Sequence, residues 1–247
     1  MGSVETGEQN EDFQRLHQLV SGTDDIKGFL DGTTRYAAVT LSRATGSRIE
    51  CAVTLHRRKR AITIAGSSDD AILLDGIEQA IGEGPCLEAL RINSAVLLND
   101  IEDDSRWPRY VKNLRAAGAR SVLGIPLQLG EDASAALNFF ALGPGLFTDK
   151  AVEEARVFGD MAGQALRLAL RIAAADLLAQ DLRAAMERRT AIDLACGIIM
   201  SQNSCTQEAA FGYLLKASQH RNQKLHDIAA EIITGRIDGS VATNFED

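Results

Sequence analysis

The sequence predicts an α+β fold, an antiparallel-sheet domain that leads through a long helical, coiled-coil stalk into a C-terminal all-α three-helix bundle. Three observations carry this expectation. Residues 12–165 interleave short β-branched runs with helical segments, the pattern of one sheet with helices between and around its strands. No proline occurs after Pro144, and the stretch from Ala151 to about Gln202 can remain helical. Beyond it, two shorter amphipathic segments each follow a polar turn. A chain of 247 residues, 45% hydrophobic and 24% charged, suits one medium domain plus a smaller one and can bury a proper core.

In order along the chain, residues 1–11 read as a disordered acidic tail. "MGSVET" satisfies the pattern for acylation at Gly2, but no basic cluster stands beside it to reinforce a single acyl chain. "DFQRLHQLV" and "DDIKGFL" read as short amphipathic helices. "RYAAVTLSR" and "IECAVTLH" are β-branched and partly alternating, and with a turn around Gly46 they predict a hairpin. "RAITIAG" makes a third strand, followed by helical "DAILLDGIEQAI", glycine-rich "GEGPC", helical "LEALR" and the short strand "AVLLND". "RYVKNLRAAG" is a helix stopped at Gly118, and "RSVLGIPLQL" and "SAALNFFAL" are strands on either side of the turn "GEDAS". The expectation is therefore about six strands, mostly antiparallel.

Thr148 is a candidate N-cap for the long helix, which Gly159, Gly163 and Gly197 weaken locally. Ala175, Leu178, Leu182, Ala185, Arg189, Ile192, Cys196 and Ile199 recur at spacings of three and four, forming one mostly apolar stripe. Such a stripe suits a seam between two copies of the chain; Ala, Arg and Cys at seam positions keep open a helix packed only within its own subunit. After a turn near Ser201 to Asn203, Ser204 with Gln207 forms a candidate capping box for a second helix whose apolar face is Phe211, Leu214 and Leu215. Asn222 is a candidate cap for a third helix, "QKLHDIAAEII", with Leu225, Ile228, Ala229 and Ile232 facing inward. The domains expected are an α+β domain over 12–165, a coiled-coil linker over 166–186, a bundle over 187–236 and a flexible tail over 237–247.

A net charge of −8 argues against wholesale attraction to nucleic acid or anionic membrane, though a local basic patch remains open. The four cysteines, Cys51, Cys86, Cys196 and Cys205, form no C-x-x-C pair, so neither a zinc site nor a disulfide framework is expected. His17 and His56 have no evident ligand partners, and no cofactor or metal is expected. No run is long and apolar enough for a membrane span and no signal-peptide plan is present, which reads as a cytoplasmic, reducing location. No metalloprotease, phosphate-loop, nucleophile-elbow or Cys/His arrangement occurs, so the chain does not read as an enzyme. In "GEGPC", Pro85 removes a backbone donor that a phosphate loop would use.

The segment "AIDLACGIIM....CTQEAAFGYLLKASQHRNQKLHDIAAEII" resembles the ANTAR family, the RNA-binding output domains of transcription antitermination regulators. The residues that carry the resemblance are Ala191, Ala195, Gly197 and Met200, then Glu208, Ala209 and Phe211, then Ser218, Asn222, Lys224, Leu225, Asp227 and Ala229. The chain departs from a common variant that has Lys at Cys196 and Arg at Leu215 or Lys216, and so carries less basic charge there. Upstream, "GEGPCLEAL" and "ALNFFALGPGLFTDKAVEEARVFGDMAGQAL" resemble a GAF domain, a small-molecule or signal-sensing α+β module, of the type fused to ANTAR domains in actinobacteria.

The resemblance implies that paired bundles in a dimer grip a leader RNA with two adjacent stem-loops and so stabilise an antiterminator, and the apolar stripe places the homodimer contact within residues 166–200. Unstacked loop bases show their edges and phosphates attract cations, so Arg188, Arg189, Lys216, Ser218, His220, Arg221, Asn222 and Lys224 are the candidate RNA-binding residues. Residues 187–236 are barely positive, with Arg188, Arg189, Lys216, Arg221, Lys224 and Arg236 against Glu187, Asp193, Glu208, Asp227 and Glu231, so placement rather than bulk charge must carry binding. Tyr213 is open between a stacking residue and a core ring. In the sensor, Cys86, Asp100 and Trp107 are the candidate pocket residues for an unidentified small-molecule ligand. Cys86, at a helix start, reads either as a redox-sensitive thiol or as a buried structural one. The run "HRRKR" at 56–60 reads as a solvated turn rather than a nucleic-acid patch. Two other classes remain: a DNA-binding regulator with "QKLHDIAAEII" in the major groove, disfavoured by one Lys against two acids, and a protein-docking module.

Overall fold

The computed structural model describes residues 2–23, 25–57, 62–130 and 133–235. It divides into two compact units, Met1–Ala173 and Ala174–Asp247. The first unit contains α1 (Gly2–Gly22), α2 (Ile26–Thr45), β1 (Ile49–Arg57), β2 (Thr63–Gly66), α3 (Asp69–Ile81), α4 (Pro85–Ile92), β3 (Val96–Leu98), α5 (Pro108–Ala116), β4 (Ser121–Leu127) and β5 (Ala133–Ala141). The long helix α6 (Asp149–Asn203) starts in this unit and ends in the second, where α7 (Gln207–Arg221) and α8 (Leu225–Ile233) follow. The fold is the expected mixture of an antiparallel sheet and helices, with an all-α C-terminal part.

The five strands run in the order β2-β1-β5-β4-β3 and every neighbouring pair is antiparallel. Successive side chains point to opposite faces of a strand, and both faces of this sheet are covered. On one face Val53, Leu55, Leu123, Ile125, Leu137 and Phe139 pack with buried residues of α1, α2 and α6. On the other, Ala52, Leu98, Val122 and Phe140 pack with α3 and α5. That double burial is why "SVLGIPL" and "ALNFFA" read as nearly continuous apolar runs.

Two expectations are corrected here. The segment "RYAAVTLSR" is not a strand but the second half of α2, so there are five strands among the described residues and no hairpin at Gly46. The buried positions Ile26, Phe29, Leu30, Thr33, Thr34, Ala37, Ala38 and Leu41 follow a helical period that runs through the segment, while β-branched Val39 faces outward at 46% exposure. Asp25 caps the start by accepting the Gly28 N–H at 2.7 Å, and Gly46, at φ 66°, is the left-handed stop of the helix rather than a hairpin turn. Helix α1 also begins at Gly2, where a disordered tail is expected over 1–11; acidic residues near a helix N-terminus favour this outcome. Arg58, Lys59 and Arg60 of the basic run, Glu131 and Asp132 of the "GEDAS" turn, and Arg236 with the tail after it lie outside the described residues.

Helix α4 rests directly on β4. A Cβ built at Gly124 would stand 2.9 Å from the Pro85 carbonyl oxygen and 3.2 Å from the Cys86 Cα, both backbone atoms that cannot swing aside. Gly124→Ala is expected to push α4 off the sheet and destabilise the first unit by about 1–3 kcal/mol, read as a lower denaturant midpoint at an unchanged slope.

Thr148 starts α6 as expected, its hydroxyl accepting the Ala151 N–H at 3.3 Å. In the second unit Ala195, Cys196, Ile199, Ala210, Leu214, Ile228 and Ala229 form a small core, with Leu225, Ile232 and Tyr213 packed against it. The ring of Tyr213 is thus part of the packing. Three local expectations change. Thr206, not Ser204, caps α7 by accepting the Ala209 N–H at 3.3 Å, and Ser204 sits at φ 49° in the turn that ends α6. Asn222, at φ 51°, closes α7 instead of opening α8. Within α7, Ala210 and Leu214 point inward while Phe211 and Leu215 are 43% and 42% exposed, because a core this small has room for one narrow stripe of each helix.

Candidate nucleic-acid interface and sensor cluster

The end of α7 and the start of α8 bring most of the candidate RNA-binding residues together. The Ser218 hydroxyl donates to the Gln223 carbonyl at 2.6 Å and ties the turn, so its role there is to shape the backbone. Asn222 adopts the left-handed conformation that reverses the chain, and Lys224 stands immediately before α8, which has no side-chain cap. His220, Arg221, Asn222 and Lys224 are exposed around this turn, with Lys216 exposed one turn earlier on α7. Arg221 reaches across to α8, its Nη1 donating to Glu231 Oε2 at 3.2 Å.

Arg188 and Arg189 belong elsewhere. They lie on α6 and line an open groove of about 850 Å³ together with Ile192, Cys196, Thr206 and Phe211, at the N-terminal end of α7. Arg189 pairs loosely with Asp193 at 3.8 Å. Fifteen residues of helix span roughly 20 Å at 1.5 Å each, so the basic side chains fall at opposite ends of α7 and make two patches rather than one.

The seam stripe is also divided. Cys196 and Ile199 are buried in the bundle of their own chain and are not available to a second copy. From residue 174 to residue 190 every position except Ala184 is exposed, including Leu178 at 60% and Leu182 at 56%.

The candidate sensor residues separate in a similar way. Cys86 is fully buried in the first turn of α4, and burial, with the charges of Glu78 and Asp75 adding to it, pushes its thiol well above the ordinary range. That favours the structural reading over the redox one, because the thiol form is the unreactive one. Asp100 is engaged by Arg120, whose Nη2 donates to both carboxylate oxygens at 2.9 Å; the Glu102 N–H and this guanidinium hold the Asp100 carboxyl below the usual range. Trp107 packs against the α3–α5 side of the core, with the Arg106 guanidinium 4.5 Å above its ring.

Around Cys86 lies a buried polar cluster that the sequence reading does not single out. Asp75 and Glu78 are fully buried on the sheet-facing side of α3. Asp75 accepts from the Thr54 hydroxyl of β1 and from the Asn138 amide of β5, the latter at 2.5 Å. Glu78 Oε1 accepts the Leu87 N–H at 2.8 Å, supplying the first turn of α4 with the cap that Gly84 has no side chain to provide. Gly84 is needed for this, since a Cβ there would stand 2.6 Å from the Glu78 carboxyl carbon, and its φ of 155° is one that other residues seldom adopt. Glu78 Oε2, the Tyr110 hydroxyl and Asn138 Oδ1 are buried without a hydrogen-bond partner. A signal was present: Ala71, Leu74, Asp75 and Glu78 share one helical face, which places two acids on an apolar stripe.

The chain thus joins a mixed α/β module to a helical module that carries a basic turn. Comparison with known families makes this specific. The GAF domain profile matches residues 23–167, more than half of the chain, and the ANTAR domain profile matches residues 180–233. The chain belongs to the GAF domain family and carries an ANTAR domain behind it, the GAF-ANTAR architecture. These are regulatory rather than catalytic families, joining signal sensing to RNA-binding antitermination. No match to a curated protein is found.

Several solved structures are similar to this chain, and the first of those that follow agrees at the level of fold. An N-acylhomoserine lactone dependent LuxR family transcription factor from Burkholderia cenocepacia is 13% identical, over 68% of this chain and 99% of that one, with a TM-score of 0.50. The GAF domain from an Acinetobacter phosphoenolpyruvate-protein phosphotransferase is 14% identical over 70% and 98%, with a TM-score of 0.46. The GAF domain region of a membrane protein from Geobacter sulfurreducens is 18% identical over 55% and 96%, with a TM-score of 0.41. Among the described residues, no helix is long and apolar enough to cross a membrane.

Proposed function

We propose that this protein is a cytoplasmic, signal-responsive antitermination regulator that acts as a homodimer and binds tandem stem-loops of a leader RNA. The observation that carries the reading is the ANTAR match over residues 180–233 together with the exposed Arg221, Asn222 and Lys224 at one turn of that domain. Cationic side chains at a turn suit the phosphates and unstacked bases of an RNA loop, whereas duplex DNA would call for a helix with base-reading side chains. Arg188 and Arg189, at the other end of α7, form a second contact, so that each bundle holds its stem-loop at two places. The dimer forms through the bare part of α6, residues 174–190, narrower than the 166–200 expected from periodicity. A small-molecule signal in the GAF domain, near Cys86 and Trp107, shifts the population of paired bundles.

The test is a gel-shift titration of the full chain against an RNA with two adjacent stem-loops, a control with altered loops, and the matching DNA duplex, at two salt concentrations. The expected result is retention of the intact RNA alone, with affinity falling as salt rises because phosphate contacts release counterions. Equal affinity for the altered loops, or preference for the duplex, refutes the reading.

A further inference from the structure

The interior of the GAF domain holds two acids where a sensor core needs none, and they are placed to join separate elements. Through Thr54 and Asn138, Asp75 ties α3 to β1 and β5, and through the Leu87 N–H, Glu78 ties α3 to the first turn of α4. The titratable groups facing the pair are His56 of β1, Cys86 of α4 and Tyr110 of α5, with Cys51 on the opposite face of β1, and β5 contributes only Asn138, which does not titrate. Among the described residues, no lysine or arginine acts on either carboxyl, and the imidazole of His56 acts on Asp75. Two carboxylates enclosed this closely, with an imidazole beside only one of them, cannot both be ionised cheaply, so at least one proton stays in the cluster.

We propose that Asp75 and Glu78 form a proton-binding site within the GAF domain, and that release of the Glu78 proton to solvent loosens the junction of α3, α4 and the sheet. The orphaned Glu78 Oε2 is the atom that holds this proton. The inference concerns the sensor alone and does not depend on RNA binding.

The direction in pH follows from the two carboxyls. Burial first, with the Asp75 charge adding, raises Glu78 to about 8 against the opposing Leu87 and Cys86 N–H groups, and burial likewise raises Asp75 against Thr54 and Asn138. A carboxyl raised on folding favours the folded form fully below the ordinary carboxylate range, and this advantage is lost as pH climbs through the folded value. The closed cluster is therefore tight in mild acid and loosens on the alkaline side, through about pH 8.

Trp107 is the only tryptophan of the chain and packs against the core cluster that contains Tyr110, so its fluorescence reports on this junction. The full-length protein, Glu78→Gln and Asp75→Asn are titrated from about pH 6 to pH 10, with far-UV circular dichroism checking that each is folded. The expected result is an emission change in the wild type centred near pH 8, its loss in Glu78→Gln, and a lower midpoint in Asp75→Asn, which removes the neighbouring charge. A purely structural role for the acids would not move a midpoint. No transition in the wild type, or an unmoved midpoint in Asp75→Asn, overturns the proposal; so does an unchanged transition in a folded Glu78→Gln, and if that variant fails to fold, Asp75→Asn decides.

Discussion

Replacing Arg221 and Lys224 together by alanine is expected to lower affinity for a two-stem-loop RNA by about 10- to 100-fold, or ~1.4–2.8 kcal/mol. Each lost phosphate contact also reduces the slope of log affinity against log salt by roughly 0.7–0.9, so the double variant should lose more than one unit of slope. The fold should tolerate the change. Arg221 is half exposed and its 3.2 Å pair with Glu231 is a surface bridge, worth about 0–1 kcal/mol, and Lys224 has no capping hydrogen bond to lose. An affinity unchanged within twofold, with the salt slope intact, would remove the turn from the interface. Arg188→Ala with Arg189→Ala makes the complementary pair, since those residues lie at the far end of α7.

The second large effect is expected in α6. Leu178→Glu with Leu182→Glu puts two like charges on the face where a second copy would pack, at positions 60% and 56% exposed in a single chain. Changes so exposed alter the stability of one chain by little, within about 0.5 kcal/mol. In a helix-to-helix seam they bury unpaired charge, so the dimer should dissociate to monomer in sedimentation equilibrium. If both stem-loops are gripped at once, affinity for the tandem RNA should fall by about 100-fold while affinity for a single stem-loop stays the same, because avidity is lost and the contacts are not. A wild-type chain that sediments as a monomer, or a double variant that remains a dimer, would place the seam elsewhere or eliminate it.

Local chemistry made several features legible in advance. Thr148 ahead of a proline-free run marks the start of α6, the apolar runs of β4 and β5 mark two strands, and the three-to-four spacing of Leu225, Ile228, Ala229 and Ile232 marks the inward face of α8. The errors came where two residues competed for one local role. Ser204 and Thr206 are both good caps two positions apart, and Asn222 suits either the end of one helix or the start of the next. Val39 and Thr40 have strand preference, yet they sit on the outer side of a helix whose inner face, from Ile26 to Leu41, is set by packing on the sheet.

The candidate sites were less legible than the fold. The sequence places Arg188 and Arg189 on the long helix and Lys216, Arg221 and Lys224 around the second turn, but only the length of α7 shows that the two groups stand at opposite ends of that helix. The Asp75 and Glu78 cluster is not legible as a unit in the sequence because its other members, Thr54, Asn138 and Tyr110, come from three separate elements. By itself the sequence determined the order of the two modules, the family resemblance of each, and most helices and strands, because those depend on periodicity, caps and motifs within a few residues of one another. Only the tertiary structure decided which acids are buried and which basic residues stand together. It also decided how much of α6 is left bare, because burial and proximity arise from contacts between residues that are remote in the chain.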